Sequence, residues 1–415
     1  MRYNPFKPNS IVPPGSFTGR VEEITTIQNC LYQARYENPQ HFLLEGERGI
    51  GKSSLVNLVG SMGRGEVVLT ESMNFIVVSI DAGGIHSQLD LIRRIGRDIK
   101  SQIAMSEPIK AKAGMVWEFL SKWEVLGVRY HKDDNADPDD AREALVDQVA
   151  TLMEVTKGDR DGLLILIDEA DAAPVEAHLG EFLKSVSERL AKRGCNNVIF
   201  GLAGLPVTIA RLRTSHESSP RMFSTMRLEP LSHDECVGII KKALAEAVDK
   251  NGFAVTIADD ALQLLANMSE GYPHFVQQFG FSAYDADTDN VISLDDVIRG
   301  AHDENGAIAQ LGSKYFDQLY YSKISSEEYR KVLVAMAAHG DQWVQRRDLA
   351  AACKIKDSTF NNALAALKSR SIILADETRQ GFYRLPTRSF AAWINAVNSV
   401  EKKGGGGEIP LSVGD

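Results

Sequence analysis

Residues 41–63 read HFLLEGERGIGKSSLVNLVGSMG. His41 to Glu45 is a short apolar run, Gly46 to Ser53 satisfies G-x-x-x-x-G-K-[ST] in full, and SSLVNLVGSM after it has helical periodicity. Strand, glycine-rich turn and helix is the context in which that spacing has a physical meaning. Glycines let the main chain fold tightly enough for several N–H groups to converge on phosphate oxygens, and the helix that follows adds the positive end of its dipole. The binding set expected from this stretch is Gly46, Glu47, Arg48, Gly49, Ile50, Gly51, Lys52, Ser53 and Ser54. Lys52 is placed to reach the β and γ phosphates of ATP, and the Ser53 hydroxyl to hold Mg²⁺.

Further along, Gly162 to Asp168 (GLLILID) leads an apolar strand into Asp168-Glu169-Ala170-Asp171. A buried strand of this kind delivers its last carboxylate to the edge of the sheet, so Asp168 is expected to hold the metal and Glu169 to orient and deprotonate an attacking water. Asp171 reads as the cap of the next helix. Further strands are expected at Asn74 to Asp81 (NFIVVSID) and Asn197 to Leu202 (NVIFGL), with helical stretches between them. The spacing predicts an α/β fold, a mainly parallel P-loop sheet.

From Leu231 the strand pattern fades. SHDECVGIIKKALAEAVDKNG and IADDALQLLANMSEG are helical and each ends near glycine. The expected organisation is an extended, unpacked lead-in at 1–19, the α/β core at 20–230, a helical lid at 231–303, a winged-helix domain at 325–396 and a flexible glycine-rich tail at 401–415. In the winged-helix region, helices near Ser326–Ala338, Gln345–Cys353 and Ser358–Ser369 precede SIILADETRQGFYRL, which reads as two strands around a turn.

The chain has 415 residues, enough for two or three domains at about 150 residues each. Its net charge of −10 argues against a surface coated for wrapping nucleic acid, yet residues 325–396 hold 11 Lys or Arg against 7 Asp or Glu, so basic character gathers in one domain. Cys30, Cys195, Cys236 and Cys353 are too scattered for a zinc ribbon or disulfide framework. The apolar run Leu163 to Ile167 falls far short of the roughly 20 residues that cross a bilayer, and MRYNPFKPNS has no apolar core of a signal peptide, so a cytoplasmic protein with no membrane partner is expected. Asp285, Asp287, Asp289, Ser293 and Asp296 imitate a calcium loop, but Asn290 stands where the loop needs glycine. Trp117 and Trp123 read as packing residues.

With these motifs the chain resembles the AAA+ ATPases, and within them the origin-initiator-like and STAND-like branches; the resemblance covers residues 11–303 and extends through the winged helix to about 395. Ile11-Val12-Pro13-Pro14, followed by Phe17, Gly19, Arg20 and Glu22 or Glu23, resembles the family's entry box, which places Val12 and Arg20 near the adenine. The resemblance implies an arginine finger at Arg221, within SPRMF, acting on a neighbouring copy in a homo-oligomer. It also implies a lid contact with the nucleotide at Pro273, within Gly271-Tyr272-Pro273. Where the family carries a polar sensor residue this chain has Ala203 and Gly204, and Thr208 is the nearest polar candidate.

Two functions fit. In one, an ATPase uses a recognition helix exposing Lys356, Ser358, Thr359, Asn361, Asn362 and Lys368, with Arg379 and Arg384 on the wing, to meet double-stranded DNA and recruit another factor. In the other, a nucleotide-dependent switch uses the winged helix for internal packing and acts through an unidentified protein partner.

Overall fold

The computed structural model describes residues 2–105, 137–322, 324, 326–370, 372–376 and 379–403. Trp117, Trp123 and the tail from 404 lie outside the described residues. Two compact units divide the chain: 9–231, and 232–415 together with the first eight residues.

The first unit runs α1 (Val21–Arg35), β1 (His41–Glu45), α2 (Lys52–Gly63), β2 (Phe75–Asp81), α3 (Gln88–Met105), α4 (Pro138–Val155), β3 (Gly162–Asp168), α5 (Leu179–Lys192), β4 (Val198–Gly204), α6 (Thr208–Ser215) and β5 (Phe223–Arg227). The strands form one parallel sheet in the order β2-β3-β4-β1-β5. Burial on both faces explains why the inner strands read as unbroken apolar runs. One face packs Ile165, Ile167, Phe200 and Leu202 against α3, α4 and α5. On the other, α2 approaches so closely that a Cβ at Gly63 would stand 2.9 Å from Leu164 and 3.1 Å from Val77. The four expected strands are present, and β5 is an addition. FSTMR has no apolar alternation to announce it, because its middle residues face solvent at the sheet edge and its place comes from main-chain pairing with β1.

The second unit holds the lid helices α7 (His233–Asn251), α8 (Asp259–Met268), α9 (Pro273–Ala286) and α10 (Leu294–His302), with a two-residue ribbon of β6 (Thr256–Ile257) and β7 (Val291–Ile292). Ser232 with Glu235 and Ser293 with Asp296 form reciprocal capping boxes that start α7 and α10. The short helix α11 (Ala307–Leu311) leads to α12 (Glu327–Ala337), β8 (Val344–Gln345), α13 (Arg346–Cys353), α14 (Asp357–Ser369), β9 (Leu374–Ala375), β10 (Phe382–Arg384) and α15 (Arg388–Lys403). The antiparallel sheet β8-β10-β9 is the expected wing with one further strand. Helix α15 was not expected, and Glu401–Lys403, read as the start of the tail, form its last turn. It buries Phe390, Trp393 and Ile394, with Trp393 against Phe316 and Tyr320.

The lead-in is extended but packed, which corrects the sequence reading for its first eight residues. Phe6 is 2% exposed and lies over Gly280, where a Cβ would come within 2.4 Å of the ring. Arg2 pairs with Asp287 at 2.6 Å and stacks on Tyr284, and the Lys7 N–H donates to Gln277 Oε1 at 2.7 Å. Asp287 and Asp296, two carboxylates of the apparent calcium loop, are thus taken up by Arg2 and by a helix cap.

His41 begins β1 with both ring nitrogens engaged: Nδ1 accepts from the Phe200 N–H at 3.2 Å and Nε2 lies 3.1 Å from Ser187 Oγ. Burial pushes its pKa down from 6.5 to about 4. The fold therefore holds His41 neutral while the unfolded chain takes up a proton, so stability is lost as pH falls from about 6.5 to about 4. Going from about pH 7 to about pH 5 is expected to destabilise the first unit by about 2 kcal/mol, read from denaturant midpoints. His41→Asn should flatten that slope, and an unchanged slope would assign it elsewhere.

Candidate active site

The phosphate loop leaves β1 and enters α2. Gly49 and Gly51 have φ of 81° and 99°, a left-handed main chain that side chains resist. Ile50 is 2% exposed and its Cγ2 would touch a Cβ at Gly46 at 2.8 Å, so it anchors the loop from beneath and offers phosphate only its main chain. Glu47 and Arg48 are exposed. Lys52 Nζ donates to the Gly46 and Glu47 carbonyls, both at 2.8 Å, so the ammonium sits inside the loop's curl. Burial lowers its pKa, while the charges of Asp168 and Asp171 favour its protonated form. Ser53 and Ser54 lie in the first turn of α2.

The entry box grips the loop from behind. Arg20 is 8% exposed, its Nη2 donates to the Ile50 carbonyl at 3.3 Å, and its Nη1 pairs with Glu23 at 3.3 Å. The Val12 N–H donates to Ser54 Oγ at 3.3 Å, which lays the proline segment on α2. Arg20 thus holds the loop main chain, and Val12 holds the first turn of the helix that follows it.

Asp168 ends β3 in register with Asp81 at the end of β2, and its Oδ1 accepts the Glu169 N–H at 2.9 Å. Glu169 has φ of 50°, and its Oε2 lies 2.9 Å from where a Cβ would stand at Gly83. Burial raises the Glu169 pKa first, then the charges of Asp81, Asp168 and Asp171, with Arg48 opposing. Neighbouring acids bias this carboxylate toward its neutral form, and cations that neutralise them would favour its ionised form, the one that can accept a proton. Asp81 was legible in NFIVVSID, which ends in aspartate as GLLILID does. Asp171 does not cap its own helix: its Oδ1 accepts the Leu205 N–H at 2.9 Å, across the sheet edge. Thr208 is fully buried and its hydroxyl donates to the Leu205 carbonyl at 2.6 Å, so it is spent inside the turn and is no sensor.

Arg221 is exposed in the turn Ser219–Met222, just before β5. Phe223 is in register with His41, the first residue of β1, whereas the phosphate loop follows the last, so Arg221 stands at the opposite end of the sheet from its own loop. Pro273 belongs to the second unit, where it opens α9 after Tyr272.

On the winged-helix domain, Phe360, Leu364 and Leu367 of α14 face inward while Lys356, Ser358, Asn361, Asn362 and Lys368 are exposed. Thr359 is half-buried. Arg346 donates twice to Asn361 Oδ1, at 3.2 and 2.6 Å, and orients it. Arg379 is paired with Asp376 at 2.7 Å, and Arg379 and Arg384 lie over the Trp343 ring.

Residues 16–193 match the family described as AAA ATPase domain. The chain carries an AAA+ ATPase domain. A search of known structures places this ATPase over 97% of its length on the Aeropyrum pernix ORC2 protein in its ADPNP and ADP complexes, covering 98% of that chain at 14% identity and a TM-score of 0.60. It is also similar to the Walker-type ATPase of Pyrococcus abyssi, at 16% identity and a TM-score of 0.54 over 91% of this chain and 96% of that one. The chain shares its fold with these two proteins. In sequence, 281 residues are 24% identical to an uncharacterised HTH-type transcriptional regulator of Methanocaldococcus jannaschii, spanning 66% of this chain and 64% of that protein.

Gly83→Ala tests how the ATPase seats Glu169. The added methyl would meet the ends of two side chains, Glu169 Oε2 at 2.9 Å and Asp81 Oδ1 at 3.1 Å, and no main chain, so the melting temperature should stay within about 2 °C while ATP turnover falls about tenfold. Turnover equal to wild type would show that the Glu169 position is not set at Gly83.

Proposed function

We propose that this chain hydrolyses ATP with Mg²⁺, assembles with copies of itself and engages double-stranded DNA through its winged helix. The observation that carries the first part is the Lys52 ammonium held inside a complete phosphate loop, with Asp168 and Glu169 at the same edge of the sheet. The donor set fits: a serine hydroxyl at a helix start and a carboxylate at a strand end are hard oxygen ligands of the kind Mg²⁺ takes together with phosphate. Ser53 and Asp168 would hold the ion, which supplies charge neutralisation at the phosphate oxygens. Lys52 binds the phosphates, and the loop's N–H groups orient them. Glu169 receives the proton of the attacking water. Arg221, exposed and remote from its own loop, suits a guanidinium offered to a neighbouring copy.

DNA engagement rests on the exposed polar face of α14 and the basic surplus of its domain. The description of the Methanocaldococcus relative as HTH-type agrees with it. One observation favours the switch reading instead. Glu270, immediately before Gly271-Tyr272-Pro273, accepts hydrogen bonds from the Arg388 and Ser389 N–H groups, both at 2.6 Å, and from Ser389 Oγ at 2.7 Å, fastening α15 to the lid. Among the described residues no helix is long and apolar enough to cross a membrane.

Glu169→Gln should abolish turnover while fluorescent ATP analogues still bind. Duplex DNA should bind with a strong salt dependence, and the double variant Lys356→Ala, Lys368→Ala should lose about tenfold in affinity and about two units of the log–log salt slope. DNA binding that is absent at low salt, together with an ATP-dependent change in mass, would move the function to a protein partner.

A further inference from the structure

The turn after β4 has no polar side chain at Ala203 or Gly204, yet it is tightly held from outside. A Cβ at Gly204 would stand 2.2 Å from Thr208 Oγ1 and 3.1 Å from Asp171 Oδ1, so the missing side chain makes room for both oxygens. They divide the Leu205 peptide groups between them: Asp171 Oδ1 accepts its N–H at 2.9 Å, and Thr208 Oγ1 donates to its carbonyl at 2.6 Å. The preceding carbonyl, that of Gly204, accepts the Gly46 N–H at 3.2 Å, the first residue of the phosphate loop. A continuous path therefore runs from the Glu169 turn through Asp171 and Leu205 to the loop. Arg211 donates to the Asp171 carbonyl and pins the near end.

Glu169 needs such a hold. A non-glycine residue at φ of 50° persists only where its surroundings over-determine it, and its own turn supplies two local bonds, from the Ala172 N–H to the Glu169 carbonyl at 2.7 Å and from the Glu169 N–H to Asp168 Oδ1 at 2.9 Å. We infer that Asp171 is a positioning residue for hydrolysis: through its hydrogen bond to the Leu205 N–H it fixes the Glu169 turn against the phosphate loop, where this chain has no sensor side chain. The inference rests on hydrolysis by Glu169. The two properties of the Asp171 carboxylate separate. Its oxygen holds geometry and acts on kcat. Its charge supports the nearby Lys52 ammonium and acts on nucleotide affinity.

The test compares steady-state ATP turnover and fluorescent-ATP affinity of the full chain as wild type, Asp171→Ala, Asp171→Asn and Glu169→Gln. Asp171→Ala should lower kcat at least about tenfold and, because the charge is gone, should also raise KM as far as Asp171→Asn does. Asp171→Asn keeps an amide oxygen to accept the Leu205 N–H and should retain at least about half of kcat, its loss appearing in KM. Amide hydrogen exchange at Leu205 should speed up in Asp171→Ala and stay slow in Asp171→Asn, a readout independent of turnover. Asp171→Ala turning over like wild type, or Asp171→Asn as slow as Asp171→Ala, would overturn the inference while leaving the role of Glu169 intact. Wild type no faster than Glu169→Gln would sink the hydrolytic reading, and this positioning role with it.

Discussion

The site depends on the parallel register of four strands. Glu45 of β1 pairs with Gly204 of β4, Ile167 of β3 pairs with Leu202 of β4, and Asp168 pairs with Asp81 of β2. Parallel pairing ends all four strands on one edge, so a loop from the first, carboxylates from the second and third and a turn from the fourth meet without any of them reaching far. The Gly46 N–H to Gly204 carbonyl bond continues that pairing into the loop itself. Apolar burial on both faces is what makes the register hard to slip, since the side chains of β3 are locked between α2 and the helices opposite.

Charge is concentrated on that edge in a way the apolar interior could not tolerate. Asp168, Glu169 and Asp171 converge near one half-buried ammonium, Lys52, and Asp81 stands beside Glu169. Each acid disfavours ionisation of Glu169, and all three at the end of β3 favour the charged lysine. An arriving metal and polyphosphate would exchange these mutual repulsions for attractions, which is a direct physical reason for the edge to bind a divalent cation with its anion rather than either alone. The outer residues of the set contribute geometry: Arg20 fixes the Ile50 carbonyl, Val12 reaches Ser54, and Ile50 fills the space beneath Gly46.

What could be read in the sequence was whatever has a local cause. The phosphate loop, strands β1 to β4, the lid helices and the helices of the winged domain all follow from spacing within about twenty residues. The features that escaped depend on partners far away in the chain. Strand β5 is polar in its middle and exists because β1 offers it a hydrogen-bonding edge. Asp171 looked like a helix cap because its partner, the Leu205 N–H, lies 34 residues later. The first eight residues looked unpacked because their partners, Gln277, Gly280, Tyr284 and Asp287, belong to the lid. Arg20 and Val12 were legible as site residues from the entry box, and their hold on the loop main chain and on the helix after it became visible only with the fold.

Within the second unit, α15 is fastened to the lid through Glu270. Glu270 has φ of 52° and its carboxylate takes three hydrogen bonds from the first turn of α15, satisfying main-chain N–H groups that helix starts otherwise leave open. Hydrogen bonds to a charged group are each worth about 1.5–3 kcal/mol, and the Trp393 contacts with Phe316 and Tyr320 add apolar burial to them. Reorienting the winged helix against the lid would break all of these together. A ligand gripping α14 or the wing therefore pulls on the Gly271-Tyr272-Pro273 turn through Glu270, the residue directly before it. The chain passes between the units at two points, after Pro8 and after Leu231. The first crossing leads within a few residues to Val12 and the phosphate-loop helix, and its other end is fastened to the lid by Arg2, Phe6 and Lys7. The stretch packed on the lid and the stretch that reaches Ser54 through Val12 are thus consecutive in the chain.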